Sequence, residues 1–154
     1  MMFGGKIGER GSLDLNIVKG TALPCSSPWV LSSPHCFQFM QTRSTQAEAK
    51  EACKKEGGRL VEVENQDKQE AIEKMVRETV HNWENKFFWI GLTGAGPDGE
   101  FLWEDSQRKL NFKNWAPNEP GRNKECTNMK IDAAQFSWVG RKCENFARNS
   151  LCEK

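Results

Sequence analysis

Histidine is almost missing from this 154-residue chain, where His35 and His81 are the only two. With so few imidazoles, and with no C-x-x-C or H-x-x-x-H spacing, the common zinc frameworks are excluded. Ser-His-Asp chemistry would have to draw on one of those two residues. The G-x-S-x-G elbow and the glycine-rich phosphate loop are absent as well. These gaps argue against an enzyme. No apolar run approaches the ~18 residues of a membrane span, so the chain reads as soluble. An excess of one charge is lacking too. Basic and acidic residues number 22 and 21, a net of +1, which leaves no long-range field to gather nucleic acid or an acidic membrane. No Asn-x-Ser/Thr sequon occurs, so N-glycosylation is not expected. No internal repeat is visible.

What the chain does have is six cysteines: Cys25, Cys36, Cys53, Cys126, Cys143 and Cys152. An even count without metal spacing reads as a disulfide framework, formed in an oxidising, extracellular compartment. The length suits one domain with a real core, so the cysteines are not its sole support. Residues 1–24 fit less well. Lys6, Glu9, Arg10, Asp14 and Lys19 interrupt every apolar stretch, so no signal-peptide h-region is present. This segment is expected to be a poorly ordered arm, leaving 25–152 as the domain.

Between Cys25 and Cys36, Ser and Pro residues flank Trp29-Val30-Leu31, which suggests a small hairpin, and Cys36 to Met40 reads as a strand. Thr45-Gln46-Ala47-Glu48 fits a capping box, and the helix it opens should stop at Gly57-Gly58. Leu60-Val61 reads as a short strand. Asn65 could cap a second helix with Ala71, Ile72, Met75, Val76 and Val80 on its apolar face. The lysines and glutamates opposite read as a solvated face. Beyond Phe87, short apolar pieces alternate with Gly, Pro, Asn and Asp: Phe88 to Leu92, Phe101 to Trp103, Trp115, Phe136 to Trp138 and Asn149 to Cys152. Two helices followed by many short strands predict an α+β domain built on small antiparallel sheets with long loops. Trp89 and Trp103 read as core, while Trp115 and Trp138 could be core or binding residues.

Trp89-Ile90-Gly91-Leu92 resembles the W-I-G-L strand of C-type-lectin-like domains, and the order and spacing of the cysteines match that family's long form. Phe101 to Asp105 resembles its F-x-W-x-D segment, Trp115 to Pro120 its W-x-x-x-E-P loop, and Trp138 to Cys143 keeps its W-x-x-x-x-C spacing. The resemblance covers residues 25–152. It implies the C-type lectin-like fold and the pairs Cys25–Cys36, Cys53–Cys152 and Cys126–Cys143. The second pair, closing about 100 residues, would contribute roughly 4–5 kcal/mol by loop-closure entropy.

Calcium needs six to eight oxygen ligands, and the resemblance implies where sugar-binding members find five side chains. Here Glu119 and Pro120 are retained, but Gly121 stands in place of Asn, Lys124 in place of Glu, and Val139-Gly140 in place of Asn-Asp. One ligand of five stays in register. Asn118, Asn123 and Glu125 are the nearby donors that loop flexibility could recruit. At the accessory calcium position Gly94 replaces the usual Asp, and only Asp98 keeps a carboxylate. Glu119 alone would be a solvent-exposed acid or a cap on backbone N–H groups, and Pro120 is expected to follow a cis bond. No cofactor is required on this reading. Residues 121–148 hold Arg122, Lys124, Lys130, Arg141, Lys142 and Arg148 against Glu125, Asp132 and Glu144, a net of +3.

The expected function is therefore an extracellular recognition domain with a degenerate calcium site. It would meet a glycan, a glycoprotein or another protein ligand, an anionic one among the options, through Asn118, Glu119, Pro120, Lys124, Glu125 and Arg141, although the loop cations also read as scattered surface charge. A calcium-dependent mannose-type lectin, with Glu119, Glu125 and Asn123 as weak metal candidates, and a structural or biomineral-matrix protein are the alternatives.

Overall fold

The computed structural model describes residues 25–81, 86–94, 96–145 and 149–154. The expected arm at residues 1–24 and Arg148 lie outside them. Among the described residues the α-helices and strands follow in order: β1 (Val30–Ser32), β2 (His35–Met40), α1 (Gln46–Lys55), β3 (Arg59–Leu60), α2 (Gln66–Thr79), β4 (Phe87–Thr93), β5 (Leu102–Trp103), β6 (Cys126–Lys130), β7 (Ser137–Arg141) and β8 (Ser150–Glu153).

The strands form one sheet in the order β1-β2-β8-β4-β6-β7, with β3 on β8 and β5 on β4. Most pairs are antiparallel, as expected. The exception is β8 beside β4, which is parallel, with Trp89 opposite Ser150. The last strand of the chain returns to fill the gap between β2 and β4, and its direction is set by that return. β6 carries no readable signal in the sequence. Cys-Thr-Asn-Met-Lys does not alternate apolar and polar residues, and it becomes a strand by pairing with β4 on one side and β7 on the other.

β4 shows why helices lie on both faces. Phe88, Ile90 and Leu92 enter a core with Ile72, Met75 and Val76 of α2, and with Met129, Trp138 and Leu151. Trp89 points the other way, into a smaller core with Ala49 and Cys53 of α1. A strand buried on both faces reads as a continuous apolar run. Its ladder to β6 is interrupted between Trp89 and Thr93. The amide of Gln46 donates there to the Ile90 and Leu92 carbonyls, at 2.7 and 3.2 Å, while the Trp89 indole N–H donates to the Ser44 carbonyl at 2.8 Å. The first turn of α1 thereby satisfies two carbonyls of β4, and β4 satisfies one just ahead of α1.

Both helix starts are as expected. Thr45 and Glu48 exchange capping-box bonds, and the Asn65 side chain accepts from the Lys68 N–H. Gly58 is required for packing, because a Cβ there would lie 2.3 Å from the Glu153 carbonyl oxygen. All three disulfides form, with Cα separations of 5.8 Å for Cys25–Cys36, 5.5 Å for Cys53–Cys152 and 5.1 Å for Cys126–Cys143.

The polar face of α2 departs from the expectation of a merely solvated surface. Lys68 is buried, and its ammonium binds Glu153 at 2.5 Å and Glu64 at 3.0 Å. Glu153 also accepts from Arg59 at 3.1 Å and from the Glu62 N–H at 2.9 Å. Glu62 is fully buried, and its carboxylate takes the Asp105 and Ser106 N–H groups and the Arg108 guanidinium. A charge in this position is tolerable only because each oxygen is occupied.

Burial pushes the Glu64 carboxyl up, but hydrogen bonds and charge from Lys68, with Arg108, reverse that and hold it at about 2. The folded state therefore binds fewer protons than the unfolded chain between the ordinary value of 4.5 and about 2. The resulting stabilisation is complete above that window and is lost as pH falls through it. In urea unfolding followed against pH, Glu64→Gln is expected to lower stability at pH 7 and to flatten the fall across this window. An acid limb identical to that of the unsubstituted protein would contradict the assignment.

Candidate functional site

The segment before β6 is fastened alongside β7 by backbone and side-chain bonds. The Asn114 amide donates to the Phe136 carbonyl at 2.9 Å. The Trp138 N–H donates to the Asn114 carbonyl at 2.8 Å, and the Ala116 N–H to the Trp138 carbonyl at 2.9 Å. Trp115 and Trp138 thus form a parallel bridge. Trp138 is fully buried, with Trp103, Phe112 and Trp115 each packed edge-on against it at 5.6–5.9 Å. Its indole N–H donates to Gln69 at 3.0 Å. Trp138 is therefore core, as are Trp89 and Trp103, and Trp115 is half-buried over it.

This zipper brings Glu119 and Pro120 against Gly140. The Gly140 N–H donates to Glu119 Oε1 at 2.8 Å, so Glu119 acts as a backbone cap, one of the two roles expected for it. The Glu119–Pro120 bond is cis, as expected. A Cβ on Gly140 would lie 2.1 Å from the Pro120 carbonyl oxygen, so only glycine admits this approach. Lys124 lies beside Gly121, where a Cβ would be 3.5 Å from the lysine Cδ.

The other candidates are not drawn in. Asn118, Asn123 and Glu125 are exposed, and both asparagines have left-handed backbone, with φ of 67° and 56°. Arg141 does not turn toward Lys124. Its guanidinium lies 4.5 Å from the centre of the Phe87 ring, and its Nε reaches Asn128 at 3.4 Å. The strand register explains this placement. Cys126 and Arg141 share one face of the β6–β7 hairpin, whereas Thr127 and Gly140 share the other.

As placed, these groups do not fit a calcium ion. Of the five expected positions, only Glu119 supplies a carboxylate, and one of its oxygens already accepts an N–H. Where a second acid would stand, the Pro120 carbonyl leaves no room for any side chain. Among the described residues, no three His, Cys, Asp or Glu side chains converge as a metal cluster.

The family described as the lectin C-type domain matches residues 42–154. The chain belongs to the C-type lectin domain family. Relatives include the mouse low affinity immunoglobulin epsilon Fc receptor, 27% identical over 146 residues, which cover 92% of this chain and 41% of the receptor. The chain thus spans well under half of that relative. The galactose-specific lectin nattectin of Thalassophryne nattereri is 27% identical over 142 residues, covering 90% of this chain and 86% of nattectin. Among solved structures, the cow C-type carbohydrate-recognition domain of CD23, determined in the presence of GlcNAc2Man3 oligosaccharide, superposes with a TM-score of 0.69. It is 26% identical, over 84% of this chain and 95% of that one.

Gly140 is the site residue whose importance the sequence hid, because a missing side chain gives no signal of what replaces it. Gly140→Ala is expected to push the 114–121 segment off β7 and to lower stability by about 1–3 kcal/mol, the range for overpacking. Amide hydrogen exchange should rise at Ala116 and at position 140, whose N–H groups make the zipper. Unchanged exchange there would show that the contact is dispensable.

Proposed function

We propose that the chain is an extracellular recognition domain that binds a glycan through the 114–125 loop and the adjoining end of β7, without calcium. The observation that carries this reading is the Glu119–Gly140 bond together with the Pro120 approach to Gly140. The chain's own groups close the loop where the ligand set of a metal would be needed. Glycan recognition is supported by the relatives, a galactose-specific lectin and a carbohydrate-recognition domain. Three disulfides support the extracellular setting. With every cysteine in a bridge, no thiolate is on hand for catalysis, and the domain reads as a binding module.

The finer reading is an anionic ligand. Glu119 is engaged with Gly140, which leaves Arg122 exposed and Lys124 beside Gly121 as the loop's cations. A guanidinium matches the paired oxygens of a sulfate or carboxylate. Arg141, held on Phe87, is not part of this cluster.

A glycan array run with calcium and then with EGTA tests the main reading. The same glycans should bind in both, and calcium should not raise the melting temperature. A ligand at 100 times its Kd would contribute about 2.7 kcal/mol, so a shift of several degrees that EGTA abolishes would make the calcium-dependent lectin the right description. For the anionic reading, Arg122→Glu with Lys124→Glu is expected to abolish salt-dependent retention on heparin while the fold persists. Unchanged retention would locate the ligand elsewhere.

A further inference from the structure

The Cys126–Cys143 bridge borders a cavity on the α1 side of the β6–β7 hairpin, the face away from Gly140. The cavity has a volume of about 270 Å³, and both of these cysteines line it. Ala47 and Leu60 supply apolar wall, and Lys50 and Glu104, paired at 2.7 Å, supply polar wall. Thr93 donates to the second oxygen of Glu104 at 3.2 Å, which fixes that wall. Glu125 is exposed at the edge.

The three bridges differ in accessibility. Cys53 and Cys152 are fully buried, Cys25 and Cys36 are half-buried, and Cys126 is buried while its partner Cys143, alone of the six, is exposed. Exchange requires an attacking thiolate to reach a sulfur, so access governs which bridge reacts first.

We propose that this cavity is an entry site for a small-molecule thiol, which opens Cys126–Cys143 by exchange while the other two bridges stay closed. The thiolate attacks Cys143 Sγ. A new S–S bond forms to the small molecule, the Cys126–Cys143 bond breaks, and Cys126 leaves as a thiolate that takes a proton from solvent. A second thiol then attacks the mixed disulfide, freeing Cys143 and releasing the oxidised small molecule, so two thiols are oxidised for one bridge reduced. The Lys50 ammonium lines the cavity into which the leaving sulfur emerges, and a neighbouring cation favours a thiolate. With Glu104 and Glu125 against Lys50, the walls carry a net −1. They repel an anionic thiol and favour a neutral or cationic aminothiol.

Cys143 lies just beyond the end of β7, three residues from Gly140. Opening the bridge removes the covalent anchor of β7 beside the Glu119–Gly140 contact, so thiol exposure sets how firmly the loop is held. The exchange itself does not depend on what the loop binds.

The test is native exchange with cysteamine, 2-mercaptoethanol or thioglycolate, quenched with iodoacetamide and read by peptide mass spectrometry. Cys126 and Cys143 should be alkylated at least about tenfold faster than the other four cysteines, as access to a sulfur dictates. Cysteamine should act fastest and thioglycolate slowest, after each rate is normalised to a small linear disulfide. Ala47→Trp, on the exposed side of α1, should slow this bridge several-fold without lowering the melting temperature, and Glu125→Gln should narrow the gap between the cationic and anionic thiols. The proposal is overturned if Cys25–Cys36 opens first, if all three bridges open together, or if neither variant changes the rate.

Discussion

The rest of the structure depends on holding the last strand in the middle of the sheet. Ser150–Glu153 lies between β2 and β4, with β3 also paired to it. Its fastenings are of three kinds. Backbone ladders run to its neighbours, Cys152 is bonded to Cys53 of α1, and Glu153 is gripped by Lys68 of α2 and by Arg59. Each fastening joins residues far apart in the chain, so each carries loop-closure entropy before it contributes. Such a fold, rich in non-local pairs, belongs among the slower folders. It also makes the two helices interdependent, because both are tied to the same four residues.

That central clamp leaves the far edge of the sheet free to carry loops. β6 and β7 lie beyond β4, and the hairpin is used on a face and on an edge. One face looks to α1 and the Cys126–Cys143 cavity. The outer edge of β7 receives the 114–121 segment, which is zipped on through Asn114, Ala116 and Glu119. The loop is thus part of the packed body at one end and exposed from Pro117 to Asn118 and from Gly121 to Asn123. A rigid base with exposed polar tips is the arrangement in which loops carry recognition.

How much of this was legible in the sequence depended on how local each signal was. Thr45-Glu48 and Asn65 declare their helices within four residues, and the W-I-G-L strand is readable because a run buried on both faces is almost wholly apolar. The cysteine pairs followed from family resemblance, including Cys53–Cys152 with its separation of 99 residues. What escaped were features decided by partners elsewhere. Lys68 looks like any helix-surface lysine until Glu153 arrives beside it. β6 looks like loop until β4 and β7 flank it. Arg141 looks like one more cation of the basic 121–148 segment, yet strand alternation sends it to the face opposite Gly140, onto Phe87. Glu119 was legible as a retained acid, but its partner is a backbone N–H with no letter of its own.

The contact between Gly140 and Pro120 also couples two positions that lie twenty residues apart in sequence. A side chain at position 140 has no space while the Pro120 carbonyl lies where its Cβ would stand, and moving that carbonyl puts at risk the Glu119 bond to the Gly140 N–H. A loop redesigned to carry a second acid at this point would therefore have to be reopened before it could be refitted, so changes at 119, 120 and 140 are expected to be non-additive.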